Sequence, residues 1–171
     1  MWQPNVKELS LLNANEHLEV VFDLEEQKDD NDHQRIAVVA ELKTLIVNHL
    51  RNLRYVWKNV PQGIQGFQNL TSIDVYGCQK LRYLFPPTVA KLLVELQSIK
   101  IWWCDMIENI VQGDGEEEAK DIILFPKLTS FRLYFLPNLM SFCIEPYYFE
   151  WSSMEKINLY KCPKFKTSGK L

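Results

Sequence analysis

Leu70-Thr71-Ser72-Ile73-Asp74-Val75-Tyr76-Gly77-Cys78-Gln79-Lys80-Leu81-Arg82-Tyr83-Leu84-Phe85 decides the fold. With Leu70 as position 1, its recurrent apolar residues stand at positions 1, 4, 6, 9, 12 and 15. Positions 4 and 6 are two apart, so on an extended strand both side chains point inward while position 5 points outward. Position 9, here Cys78, turns the chain inward, and positions 12 and 15 carry a return segment over the same interior. One such coil cannot bury its own apolar set, so the pattern demands copies of itself.

The copies are present. Leu42, Leu45, Val47, Leu50, Leu53, Val56 is one, and Leu96, Ile99, Ile101, Cys104, Ile107, Ile110 another. Leu128, Phe131, Leu133, Leu136, Leu139, Phe142 and then Met154, Ile157, Leu159, Cys162, Phe165 complete the clear set. A degenerate first copy, Val6, Leu9, Leu11, Ala14, Leu18, Val21, regains the register with one residue inserted after Ala14. Starts at 42, 70, 96, 128 and 154 give periods of 28, 26, 32 and 26, against roughly 20 to 29 residues for leucine-rich repeats. The fold class is therefore α/β, a leucine-rich-repeat solenoid or horseshoe with a parallel concave β-sheet and an irregular or short-helical convex side. Residues 1–171 form one domain of about six irregular repeats. The repeats begin within a few residues of Met1 and end within a few of Leu171, with no polar cap, so a fragment of a longer array is expected.

Pro86 to Leu93 supplies the expected short helix on the convex side, with Thr88 as its N-cap. Two acidic excursions, Asp23 to Gln34 and Gly113 to Asp121, read as exposed loops. Neither has the spaced Asp-x-Asp-x-Asp-Gly pattern of a calcium loop.

Composition narrows the function. Nineteen Lys and Arg against 22 Asp and Glu give a net charge of −3, without the basic excess that holds a nucleic-acid backbone. No apolar run is long enough for a membrane span, and Met1 to Lys7 does not resemble a secretory signal, so a cytoplasmic chain is expected. On that ground the Asn69-Leu70-Thr71 sequon is read as chance. Cys78, Cys104, Cys143 and Cys162 are 26, 39 and 19 residues apart, too widely spread for a zinc or redox motif, and are expected as reduced, buried thiols. Gly113-Asp114-Gly115 runs into three glutamates, and Gly169-Lys170 lacks the upstream Gly of a phosphate loop. His17, His33 and His49 stand in no nucleophile motif. No catalytic, cofactor or metal residue is assigned, and the chain is read as no enzyme.

What the repeats offer is a face. Position 7 reads Asn48, Tyr76, Trp102, Tyr134, Tyr160; position 8 reads His49, Gly77, Trp103, Phe135, Lys161; position 5 reads Ile46, Asp74, Lys100, Arg132, Asn158. Aromatic residues and Arg on one exposed strip are the composition of a protein contact site. The alternative is that the rings stack on neighbouring coils as structural caps.

The run from Leu70 to Phe85 resembles the C-terminal leucine-rich repeats of plant intracellular immune receptors of the coiled-coil nucleotide-binding type. So do Phe125-Pro126-Lys127-Leu128 leading to Leu136-Pro137-Asn138-Leu139, and Leu159-Tyr160-Lys161-Cys162-Pro163-Lys164. The resemblance implies a role in defence: binding a pathogen effector or an altered host protein, and contacting the receptor's own nucleotide-binding domain. ATP or ADP would bind that domain, which this sequence does not contain. Tyr76, Lys100, Trp102, Trp103, Arg132, Tyr134 and Tyr160 are then the candidate recognition surface. A leucine-rich-repeat adaptor that selects substrates for a ubiquitin ligase is the other reading.

Overall fold

The computed structural model describes residues 6–13, 17–24, 40–64, 66–112, 122–144 and 148–166. Outside the described residues lie the extreme N-terminus, Ala14, most of the first acidic excursion with His33, the second excursion with Gly113-Asp114-Gly115, and the Thr167 to Leu171 tail.

The chain runs β1 (Glu8–Leu12), β2 (Val20–Asp23), β3 (Thr44–Asn48), β4 (Tyr55–Lys58), β5 (Ser72–Tyr76), β6 (Tyr83–Phe85), α1 (Pro87–Ala90) and β7 (Ser98–Trp102). It continues through β8 (Asn109–Val111), β9 (Ile122–Leu124), β10 (Ser130–Tyr134), β11 (Ser141–Cys143), β12 (Tyr148–Glu150) and β13 (Lys156–Tyr160). One strand from each coil enters a six-stranded parallel sheet in the order β1-β3-β5-β7-β10-β13. The register is the one the spacing requires: Leu9, Leu45, Ile73, Ile99, Phe131 and Ile157 align at position 4, and Leu11, Val47, Val75, Ile101, Leu133 and Leu159 at position 6. The degenerate first copy belongs to the same ladder.

Backbone hydrogen bonds explain why each coil closes alike. The position 2 carbonyl accepts two N–H groups from the next coil, as Thr71 O does from Gln97 (2.8 Å) and Ser98 (3.1 Å). From the coil at Leu42 onward, the position 12 N–H bonds back to the position 9 carbonyl, as in Leu53 to Leu50 (3.0 Å), Leu81 to Cys78 (3.3 Å) and Phe165 to Cys162 (3.2 Å), a tight turn fixed at the same point of each. The return segments form short parallel strands of their own: β6-β8-β11, β2-β4 and β9-β12. The convex side is thus less irregular than expected.

Between these layers lies one core. The position 4, 6, 9, 12 and 15 residues of the four inner coils are at most 1% exposed. An internal aromatic column that the repeat register did not reveal threads this core. Trp57 lies 5.4 Å from Phe85, Phe85 lies 6.5 Å from Phe125, and Phe125 lies 5.7 Å from Phe142, all ring to ring. Position 16 supplies Trp57 and Phe85, and the residue three before position 1 supplies Phe67, Phe125 and Trp151. Where the stack ends, burial ends: Ile157 and Leu159 in β13 are 38% and 42% exposed, against 0% for Phe131 and Leu133 one strand before.

The helix differs from expectation in one respect. Its N-cap is Pro86, with no side-chain capping bond, and Thr88 sits inside the first turn. Proline at N1 already fixes φ and carries no N–H to satisfy, so no hydroxyl cap is needed. No helix among the described residues is long and apolar enough to cross a membrane.

Candidate binding face

The outward side of the six-stranded sheet is built from positions 3, 5, 7 and 8. Position 7 closes each strand, and position 8 follows with positive φ in every coil: Asn13 47°, His49 54°, Gly77 65°, Trp103 50°, Phe135 55° and Lys161 54°. The left-handed turn lets each position 8 N–H extend the ladder by one bond, to the position 7 carbonyl of the next coil. His49 donates to Tyr76 O (2.8 Å), Gly77 to Trp102 O (2.9 Å), Trp103 to Tyr134 O (3.1 Å) and Phe135 to Tyr160 O (2.8 Å). For a residue with a Cβ this conformation costs about 1–2 kcal/mol. At Gly77 a Cβ would in addition stand 3.0 Å from His49 Cδ2, a tight approach that the imidazole would have to yield to.

The position 9 thiols use the same carbonyls. Cys78 Sγ donates to Tyr76 O (3.6 Å), Cys104 Sγ to Trp102 O (3.5 Å) and Cys162 Sγ to Tyr160 O (3.6 Å). All four cysteines are free thiols, Cys162 only half-buried in the last coil. The neighbouring Cys78 thiol and burial push the Cys104 thiol well above its ordinary range, and burial pushes Cys143 up to about 11. At neutral pH these are packing groups. No group of three or more His, Cys, Asp or Glu among the described residues is placed to hold a metal ion.

The seven candidate residues all lie on this face. Tyr76, Lys100, Trp102, Arg132 and Tyr134 are half-buried, while Trp103 is 38% and Tyr160 52% exposed. The rings form a continuous ladder across five coils. His49 meets Tyr76 at 4.6 Å, Tyr76 meets Trp103 at 5.1 Å, Trp102 meets Tyr134 edge-on at 5.3 Å, and Trp103 stacks on Phe135 at 4.7 Å and 15°. Phe135 then meets Tyr160 at 5.3 Å, and Lys161 Nζ sits 5.1 Å above the Phe135 ring. The rings therefore pack on one another and still present a surface.

Beside them runs the charged row, where Lys100 pairs with Asp74 at 3.5 Å. The register sets Arg132 next to Lys100 and Asn158 next to Arg132. A shallow apolar groove of roughly 450 Å³ opens between Trp102, Trp103, Arg132, Tyr134, Phe135 and Lys156. A second hollow, lined by His49, Arg51, Tyr76, Gly77, Gln79, Trp103 and Asp105, adjoins it across Trp103. Phe135 and Lys156 complete the first groove and were absent from the candidate set. Phe135 stands in the position 8 column already read, and Lys156 ends a position 3 column of Thr44, Ser72, Ser98 and Ser130 whose one cation is the only signal. A larger hollow of roughly 580 Å³, around Arg54, Tyr55, Lys80, Arg82 and Tyr83, lies beside the return strands and contains none of the candidates.

Stacked parallel strands with a recurrent coil define a leucine-rich-repeat solenoid. Residues 3–105 match the family described as plant disease resistance protein RPS2-like, leucine-rich repeats, and the chain belongs to that family. A probable disease resistance protein of Arabidopsis thaliana is 33% identical to it over 105 residues, which is 58% of this chain and 11% of that relative. The chain thus spans about a tenth of the length of the curated relative it matches. No solved structure matches. The family match covers the first three coils and the fourth as far as Asp105, and the stretches at Phe125 and Leu159 lie beyond it in coils of the same geometry.

Proposed function

We propose that this solenoid is the recognition module of an intracellular plant immune receptor, sensing a pathogen effector or a modified host protein on its concave face. The observation that carries the reading is the partly exposed ring ladder from Tyr76 to Tyr160, with Trp103 and Tyr160 open to solvent, flanked by Lys100 and Arg132. Aromatic residues and Arg dominate the energetics of protein interfaces because they bury much area for little lost entropy. Family membership supplies the defence context.

In this reading the exposed edge strand β13, with Ile157 and Leu159 open, is an internal strand of a longer array or packs on the receptor's nucleotide-binding domain. The ubiquitin-ligase adaptor is the alternative, and family membership alone favours the receptor over it.

The test places Trp103→Ala with Tyr160→Ala in the complete receptor and measures effector-triggered cell death in leaf tissue. Lys58→Gln on β4 serves as the control on the return side. Loss of the response at normal protein level, with the control unaffected, is the expected result. An unchanged response in the double variant would remove the concave face from the account.

A further inference from the structure

We propose that the groove over β7, β10 and β13 is a subsite for an acidic side chain adjoining an apolar one on a protein partner, with the carboxylate held between Arg132 and Lys156. The proposal rests on the concave face being the recognition surface and adds the chemistry of what it takes.

Charge is the first argument. Positions 3, 5, 7 and 8 of the last three concave strands carry Lys100, Arg132, Lys156 and Lys161 and no carboxylate, in a chain whose net charge is −3. Two of these cations are already engaged: Lys100 with Asp74 at 3.5 Å, and Lys161 over the rings of Phe135 and Tyr160 at 5.1 and 5.6 Å. Neither Arg132 nor Lys156 has an ion-pair partner among the described residues, and both line the groove.

Hydrogen bonding is the second. Among the described residues, Trp102 Nε1 and Arg132 Nε are shielded from solvent and have no acceptor, and the in-register Asn158 Oδ1 has no donor. Buried donors are nearly always paired, so an acceptor brought to this groove would find two donors unengaged. A carboxylate has lone pairs enough for both and for Lys156. It reaches them when the half-exposed Trp102 and Arg132 side chains change rotamer, a fast motion at a surface.

Shape is the third. The Trp102, Trp103, Tyr134 and Phe135 rings make an apolar trough beside the two cations, wide enough for one aromatic or aliphatic side chain. Two free cations are too few to follow a phosphate backbone, which favours an acidic protein segment over a nucleic-acid strand.

The experiment titrates the ¹⁵N-labelled chain with the peptide Ac-Ala-Glu-Trp-Glu-Ala-NH₂ and follows the Trp indole N–H signals, assigned with Trp102→Phe and Trp103→Phe. Comparison probes carry Lys in place of Glu, or Ala in place of Trp, and decauridylate tests the nucleic-acid alternative. The expected result is millimolar binding of the acidic Trp peptide alone, with the Trp102 indole signal moving downfield. Affinity should fall about tenfold in Arg132→Gln/Lys156→Gln and fall likewise in about 0.5 M salt, while Lys58→Gln changes nothing. Unaltered thermal melting of the double variant confirms that it is folded.

Equal binding of the Lys peptide overturns the acidic assignment while leaving the concave face as a contact surface. Tighter binding of decauridylate, shifts confined to residues outside the groove, or no binding of any peptide at millimolar concentration overturns the subsite. Failure of the concave-face reading itself is read separately, in the receptor assay.

Discussion

Ile99 and Ile157 occupy the same position 4 of their coils, in β7 and β13, and β10 lies between them in one continuous register. Ile99 is 0% exposed and Ile157 38%. Truncation to Ala removes three carbons from each, and at about 0.8 kcal/mol per buried carbon the transfer loss at Ile99 is about 2.4 kcal/mol. The void left between two covering coils adds to this and brings Ile99→Ala to about 3–4 kcal/mol. At Ile157 the same arithmetic, reduced for exposure, gives about 1.5 kcal/mol, and water fills the space without a void. With a urea slope of about 2 kcal/mol/M, the midpoint falls by about 1.5–2 M for Ile99→Ala and about 0.7 M for Ile157→Ala. Urea melts followed by far-UV circular dichroism on this chain would measure both. Equal shifts would mean that β13 is covered as completely as β7, and the argument from stacking order would be wrong.

Gly77→Ala should destabilise by about 1 kcal/mol, from the left-handed backbone cost less the entropy removed from the unfolded chain, with a further penalty from the 3.0 Å approach to His49. Pairing it with His49→Ala should cost less than the two singles added, because the crowded contact is gone; strict additivity in urea melts would deny that contact. Stability should also fall in alkali. Burial, then Tyr55, raises Tyr83 from 10.0 to about 12, and burial raises Cys143 from 9.0 to about 11, so the unfolded chain ionises first. Their contribution is complete below pH 9 and is lost as pH climbs through 9 towards 12. Urea midpoints compared at pH 8 and pH 10.5 check this, and an equal or higher midpoint at pH 10.5 would contradict it.

The solenoid was legible in the sequence because a stack imposes one requirement per coil. Leu70, Ile73, Val75, Cys78, Leu81 and Leu84 must each meet their counterparts above and below, so the spacing repeats even as side chains change. The left-handed position 8 was not legible, because Trp103, Phe135 and Lys161 are residues with no preference for it. Asn13, His49 and Gly77 gave the only hints. The internal aromatic column was also missed, since Trp57 and Phe85 follow position 15 while Phe125 precedes position 1, and only the fold brings them together. Thr88 misled as an N-cap because Pro87 at N1 starts the helix two residues earlier, with Pro86 as the cap. On the concave face the columns at positions 5 and 7 were readable as rows, but the groove was not, because it needs Lys156 from position 3 and Phe135 from position 8 to close.

The ring ladder answers a structural need and creates the surface with the same atoms. Trp103 and Phe135 both sit in the left-handed region, each at a cost of about 1–2 kcal/mol, and stack on each other at 4.7 Å. A stacked aromatic pair returns about 0.5–1.5 kcal/mol beyond its buried area, and each residue also gains the ladder bond to the next coil. Glycine in their place would remove the strain and the rings together, leaving the ladder bonds and a bare turn. The position 8 ladder bond forms whatever the side chain, so it does not require an aromatic residue there, as Gly77 and Asn13 show. The proposed recognition role accounts for their concentration at Trp103 and Phe135, beside Arg132 and Lys156, which have no ion-pair partner among the described residues.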